Sequence, residues 1–134
     1  MYYIGIDVGG TAIKGGIVDE NGVVIIKDSV TTDAGQSSDD NVRDIAALVK
    51  KLLTASGTDE NEIVALGMGV PGTVDPDDYR IFYTCNILFR DYDFVKEFGK
   101  YYSFPVCIGN DADCAVIGEA VFGKMKGVKN AVIV

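Results

Sequence analysis

The apolar residues of this chain change their spacing along its length, and the changes mark out its elements. From Tyr2 to Val8 the residues are aromatic, β-branched or small; Gly9, Gly10 and Thr11 interrupt them, and Ile13 to Val18 resume the pattern. Runs of this kind read as two strands joined by a tight turn. Asp19, Glu20, Asn21 and Gly22 give a hairpin signal, and Val23 to Val30 supplies a third strand rich in valine and isoleucine. Three antiparallel strands therefore open the domain.

Between Ser38 and Ser56 the period switches: Val42, Ile45, Ala46, Val49, Leu52 and Leu53 recur three and four residues apart, as on one face of a helix. Ser38 or Asp39 is its cap and Gly57 its stop. Ile63 to Val70 reads as a buried strand ending at Pro71 and Gly72, where proline forbids further ladder bonding. A loop follows to about Arg90. A second helix is predicted from Asp93 to Tyr102 through Phe94, Val95, Phe98 and Tyr101, weakened by about 1 kcal/mol at Gly99. Pro105 to Ile108 is a short strand, and Asp111 to Phe122 is a helix rich in small residues that ends at Gly123. Ala131 to Val134 is a last apolar strand with no turn or polar boundary after it, so the sequence reads as cut. Three antiparallel strands followed by alternating helices and strands predict an α/β domain with a mixed sheet. A receiver-like or generic nucleotide-binding domain fits the same periodicity, so chemistry has to come from motifs.

Composition narrows the field before the motifs are reached. A length of 134 residues suits one domain, and 48% apolar with 24% charged residues is ordinary for a globular chain. The net charge of −8 leaves no basic stripe for a phosphate backbone or an anionic membrane surface, so nucleic acid and membrane partners are not expected. Cys85, Cys107 and Cys114 form no C-x-x-C pair and there is no histidine, so no zinc site is expected in this chain. The odd cysteine count and a strand that begins at once point to a cytoplasmic location.

Three glycine-punctuated segments carry the candidate chemistry. Asp7, Val8, Gly9, Gly10, Thr11, Ala12, Ile13 and Lys14 surround the first turn. Two glycines leave backbone N–H groups open to a phosphate, Thr11 adds a hydroxyl, Lys14 a cation, and Asp7 can hold magnesium through water. A plain glycine hairpin with a solvated aspartate and lysine is the alternative. The second segment runs from Gly67 to Asp75 and contains Pro71, Gly72 and Thr73, whose backbone amides can grip a polyol, or which form a simple Pro-Gly turn. The third is Gly109, Asn110, Asp111, Ala112 and Asp113, between the short strand and the small-residue helix. There Asp111 can accept the proton of an attacking sugar hydroxyl while Asn110 fixes a neighbouring hydroxyl. The helix N-terminus favours the anion, and phosphoryl transfer needs positioning and charge neutralisation more than a strong base. Asp111 as a mere helix cap is the competing reading.

Taken together, D-x-G-G-T-x-x-K, G-x-G-x-P-G and N-D-A followed by Gly118 and Glu119 resemble the ROK family, in this order and over nearly the whole chain, from Tyr3 to Val134. The resemblance implies the actin-like ATPase (ribonuclease H-like) fold, with sugar and ATP held between two lobes. It implies that Asp7, Gly9, Gly10, Thr11 and Lys14 face the nucleotide phosphates and Mg2+, that Gly72, Thr73, Asn86, Asn110 and Asp111 line the sugar pocket, and that Asp111 is the general base. Glu119 matches the pattern with a packing role at a hinge. Residues 1–134 would then be the N-terminal lobe, with 112–134 forming a hinge helix and the first strand of a second lobe. Family members continue into a second phosphate loop, a histidine-containing sugar contact and often a zinc motif. None of these is present, so the chain alone is expected to be inactive. The family implies a homodimer and glucose as the default hexose, with an N-acetylated hexosamine or a noncatalytic sugar-binding or assembly module as alternatives. Its repressors carry a DNA-binding segment ahead of the phosphate loop, which here begins within ten residues of Met1.

Overall fold

The opening hairpins form as the hydrophobic alternation predicts. In a computed structural model, which describes residues 1–133, β1 (Tyr2–Val8) pairs antiparallel with β2 (Ala12–Asp19), and β2 with β3 (Val24–Thr31). Even-numbered residues of β1, Ile4, Ile6 and Val8, are buried on one face, while Tyr3, Gly5 and Asp7 stay open on the other. Helix α1 (Ser38–Ser56) covers the buried face through Val42, Ile45, Ala46, Leu48, Val49 and Leu52. A Cβ on Gly15 would stand 3.0 Å from Leu52 Cδ1 and 3.1 Å from Leu48 Cδ2, so that glycine sets how closely α1 lies on β2.

The cap of helix α1 lies one residue before the first expected position. Ser37 is extended and accepts from the Asp40 N–H, an acceptor neither Ser38 nor Asp39 supplies, and Gly57 closes the helix in the left-handed region at φ 71°. A 3-10 turn, Glu60–Glu62, leads into β4 (Ile63–Val70), which joins the sheet parallel to β1. β8 (Val106–Asn110) pairs parallel with β4, giving the order β3-β2-β1-β4-β8. The mixed sheet is thus as expected.

The segment from Pro71 to Arg90 is not a loop. It holds a second, antiparallel sheet of β5 (Gly72–Val74), β6 (Ile81–Thr84) and β7 (Arg90–Tyr92). Strands of three and four residues are too short to show a period. Their turn is built by Asp75, which accepts from the Asp77 N–H at 2.8 Å and from the Tyr79 N–H through its carbonyl at 3.0 Å. Helix α2 (Phe94–Phe98) spans five residues, not ten, because Gly99 weakens the turn and the chain leaves through Tyr101, Tyr102 and Pro105. It buries Phe94 and Phe98 in an aromatic cluster with Phe89, Tyr92, Tyr102 and Phe104, with ring centroids 5.2 to 6.2 Å apart.

Helix α3 (Asp111–Val121) leads out over β4 and β8 with no buried residue of its own. The strand expected over Ala131–Val134 is absent from Ala131 to Ile133, since no strand among the described residues offers these three a ladder; Val134 lies outside the described residues. No described helix is long and apolar enough to cross a membrane.

Candidate active site

The first turn is tighter than its glycines alone suggest. The Gly9 N–H donates to the Ala12 carbonyl at 3.0 Å, and a Cβ on Gly9 would stand 2.7 Å from that oxygen. Gly9 therefore shapes the turn and is not a free donor, contrary to the expectation of two consecutive glycine amides facing a phosphate. The Gly10 and Thr11 amides take no protein carbonyl among the described residues and remain available. Thr32, which sequence reasoning passed over, fastens the turn from behind. Its hydroxyl donates to the Gly9 carbonyl at 2.8 Å and its N–H to the Thr11 carbonyl at 3.0 Å. A hydroxyl one residue past β3 was the only signal for it.

Asp7 and Lys14 leave the turn on opposed positions of β1 and β2, both on the open face of the sheet. Lys14 enters no ion pair among the described residues. Asp111 reaches the same place from another element. It opens α3 directly after β8, and Asp7, Lys14 and Asp111 line one cleft of about 760 Å³, together with Gly69, Gly109 and Cys114. Asp111 packs there because Gly69 has no side chain: a Cβ on Gly69 would stand 3.3 Å from Asp111 Cα.

Capping falls to Asn110, not Asp111. The Asn110 Oδ1 accepts from the Ala112 N–H at 3.0 Å and the Asp113 N–H at 3.4 Å. Its Nδ2 donates to the Gly72 carbonyl at 3.0 Å, joining the start of α3 to the small sheet. Among the described residues the Asp111 side chain accepts one hydrogen bond, from the adjacent Ala112 N–H at 2.9 Å, and its other carboxylate oxygen takes none. The concentration of charge is felt by Cys114, whose thiol is pushed up by burial and then by the Asp113, Asp111 and Asp7 carboxylates.

The remaining expected residues are distributed differently. Gly72 is held by necessity of approach: a Cβ there would stand 1.9 Å from the Tyr83 carbonyl oxygen. Asn86 sits against the Gly9–Thr11 turn, since a Cβ on Gly10 would meet Asn86 Nδ2 at 3.1 Å. Gly10 and Asn86 line a second cleft of about 390 Å³ with Thr84, Cys85, Leu88 and Arg90. Thr73 is exposed and lines neither cleft. Glu119 closes the C-terminal end of α3, accepting from the Lys124 N–H at 3.0 Å.

The described residues contain no group of three or more His, Cys, Asp or Glu side chains able to hold a metal. Asp7 and Asp111 nevertheless offer hard oxygen in one cleft. That suits magnesium, which keeps several waters and takes one or two carboxylates together with substrate phosphates.

A mixed sheet with a glycine turn at its first hairpin and a carboxylate at the start of a crossing helix fits the actin-like ATPase fold of its structural neighbours. Residues 3–134 match the model of the ROK family, and the chain belongs to that family. It is 29% identical to a glucokinase of Halalkalibacterium halodurans over 99% of this chain and 40% of that protein. It is 30% identical to a xylose repressor of Bacillus subtilis over 99% of this chain and 34% of the repressor. Among solved structures, a ROK family glucokinase from Streptomyces griseus in complex with glucose and AMPPNP superposes with a TM-score of 0.84 and 31% identity. That match covers 95% of this chain and 38% of the enzyme. The chain thus spans about 40% of the length of the glucokinase relative.

Proposed function

We propose that this chain forms one wall of the site of an ATP-dependent hexose kinase, with glucose as the sugar and Asp111 as general base. The observation that carries the reading is the meeting of Asp111 with Asp7 and Lys14 in one cleft, with Asn110 relieving Asp111 of the capping role. The proton of the attacking sugar hydroxyl passes to Asp111 as its oxygen bonds to the γ-phosphorus of ATP. The bond from that phosphorus to the bridging oxygen breaks, and ADP leaves with the electron pair. Lys14 and the Gly10 and Thr11 amides face the phosphates and offset their charge, where preorganised donors act most strongly. Asn110 and Asn86 orient the sugar, with Gly72 and Thr73 at its border. Asp7 would hold magnesium through water, and the ion would supply charge neutralisation on the phosphates. Residues 1–134 form the N-terminal lobe, with α3 as the hinge helix, and turnover needs the rest of a ROK polypeptide. The protein acts in the cytoplasm as a homodimer, a reading that rests on the family resemblance.

The test is an ADP-release assay on the protein at its natural length, with a panel of hexoses and N-acetylated hexosamines. Glucose-dependent ADP release is expected. A second reading is favoured by the likeness to the Bacillus subtilis xylose repressor: a sugar sensor without turnover. Saturable sugar binding with no ADP release would select it and overturn the kinase.

A further inference from the structure

Among the described residues two polar side chains are buried, Asn41 of α1 and Thr84 at the end of β6. A buried polar group is costly unless it is hydrogen-bonded, and both of these find a partner in the same stretch of backbone, residues 85–89 between β6 and β7. Thr84 Oγ1 accepts from the Phe89 N–H at 3.1 Å, and its hydroxyl donates to the Ile87 carbonyl. Asn41 Nδ2 donates to the Leu88 carbonyl at 3.4 Å, and the Ser38 hydroxyl donates to the same oxygen at 2.7 Å.

Ser38 and Asn41 lie three residues apart, on one face of α1. Gln36 fixes the Asn41 amide: its Nε2 donates to Asn41 Oδ1 at 2.7 Å and to Asp44 Oδ2 at 2.8 Å, which leaves Nδ2 as the end that meets Leu88. Residues 85–89 belong to no strand, so these side chains supply the bonds that a ladder would otherwise give. Ile87 and Phe89 are buried on either side of Leu88. Next along the chain stands Asn86, exposed, with its amide against Gly10 in the second cleft.

We propose that Ser38 and Asn41 are positioning residues for Asn86: through the Leu88 carbonyl, the start of α1 sets where Asn86 stands against the turn at Gly10 and so how it meets the sugar. The inference rests on Asn86 being a sugar contact, as proposed above. Neither Ser38 nor Asn41 lines the cleft that holds Asn86, so both act through the loop and not on the ligand. A loop ordered during folding spares the sugar the entropy of ordering it on binding, and loosening the hold on Leu88 returns that cost to the binding step.

A double-variant cycle on glucose affinity, measured by calorimetry on the protein at its natural length, tests this. Ser38→Ala removes one bond to Leu88 and leaves the Ser37 cap of α1 in place. Ser38→Ala and Asn86→Ala should each weaken glucose binding about fivefold, the size of one hydrogen bond. The two together should weaken it no more than Asn86→Ala alone, because Ser38 acts only through Asn86. Ser38→Thr keeps the hydroxyl and should bind as wild type does. Asn41→Leu, checked for folding by circular dichroism, should repeat the Ser38→Ala result; the Ser38 series decides the question if that variant does not fold. Losses that add in the double variant, a Ser38→Thr as weak as Ser38→Ala, or a Ser38→Ala of wild-type affinity beside a weakened Asn86→Ala would each overturn the inference and leave Asn86 in the sugar site. An Asn86→Ala variant of wild-type affinity, or a wild type that binds no glucose, would overturn the inference and the assignment of Asn86 together.

Discussion

Asn110 connects two parts of the candidate site, and its two functions can be separated by substitution. Asn110→Ala removes the acceptor that caps α3 and the donor that reaches the Gly72 carbonyl at 3.0 Å. The lost cap costs about 1 kcal/mol and the lost hydrogen bond about 1 kcal/mol more. With an unfolding entropy of roughly 2.1 cal/mol/K per residue, a domain of this size unfolds with about 280 cal/mol/K, so a 2 kcal/mol loss lowers the melting temperature by about 7 °C. Asn110→Ser keeps a good cap and loses only the tie to Gly72, so about half that fall is expected. Thermal unfolding followed by circular dichroism on wild type and both variants gives the answer. An alanine variant melting within about 1 °C of wild type, or a serine variant as damaged as alanine, would show that Asn110 does not join α3 to the small sheet.

Three further outcomes follow from the same geometry. Gly72→Ala places a Cβ where the Tyr83 carbonyl oxygen now lies 1.9 Å away, so β5 must part from β6. A loss of roughly 1–3 kcal/mol in chemical denaturation is expected, and an unchanged midpoint would contradict the pairing. Asp19, Asp28 and Asp91 all hold their carboxyls below the usual range, through the Val23 N–H, the Lys51 ammonium and the Arg80 guanidinium respectively. A depressed folded value contributes stability that is present above the ordinary carboxyl range and is lost as pH falls through the folded value. The melting temperature should therefore hold from pH 7 to pH 5 and drop below about pH 4; a curve flat to pH 2 would deny these contacts. The Cys114 thiol, pushed up by burial and by Asp113, Asp111 and Asp7, should react with iodoacetamide at pH 8 more slowly than a free thiol. Asp113→Asn should speed it, and a rate equal to that of free cysteine in the unmodified chain would contradict the crowding of carboxylates there.

The large sheet and α1 were legible because their elements are long enough to show a period. β1 to β4 run seven or eight residues and α1 runs nineteen, so the burial of Ile4, Ile6 and Val8 or of Ile45, Val49 and Leu52 is written in the spacing. The small sheet was not legible, because three-residue β5 is held by the contact of Gly72 with Tyr83 and by a turn containing Tyr79 at φ 61°, neither of which leaves a pattern. α2 stopped at Phe98 because Gly99 weakens the next turn, while the apolar pattern runs on to Tyr102, whose ring joins the aromatic cluster from outside the helix. In the candidate site the motifs singled out Asp7, Lys14 and Asp111, which line one cleft, but did not say which residue caps α3. Asn110 and Asp111 are both good caps by type, and only the backbone geometry at Asn110, extended at φ −61° and ψ 141°, separates them. Likewise Gly9 and Gly10 look alike in sequence, while the Ala12 carbonyl takes the amide of one and leaves the other free.

The most direct measurement is single-turnover phosphoryl transfer to glucose by the protein at its natural length, wild type against Asp111→Asn, with glucose affinity measured in parallel. The account predicts a fall of at least a hundredfold in the transfer rate with glucose affinity changed less than about threefold, as expected for a base that acts on the reacting hydroxyl. Equal transfer rates, or a loss of binding that accounts for the whole loss of rate, would contradict it.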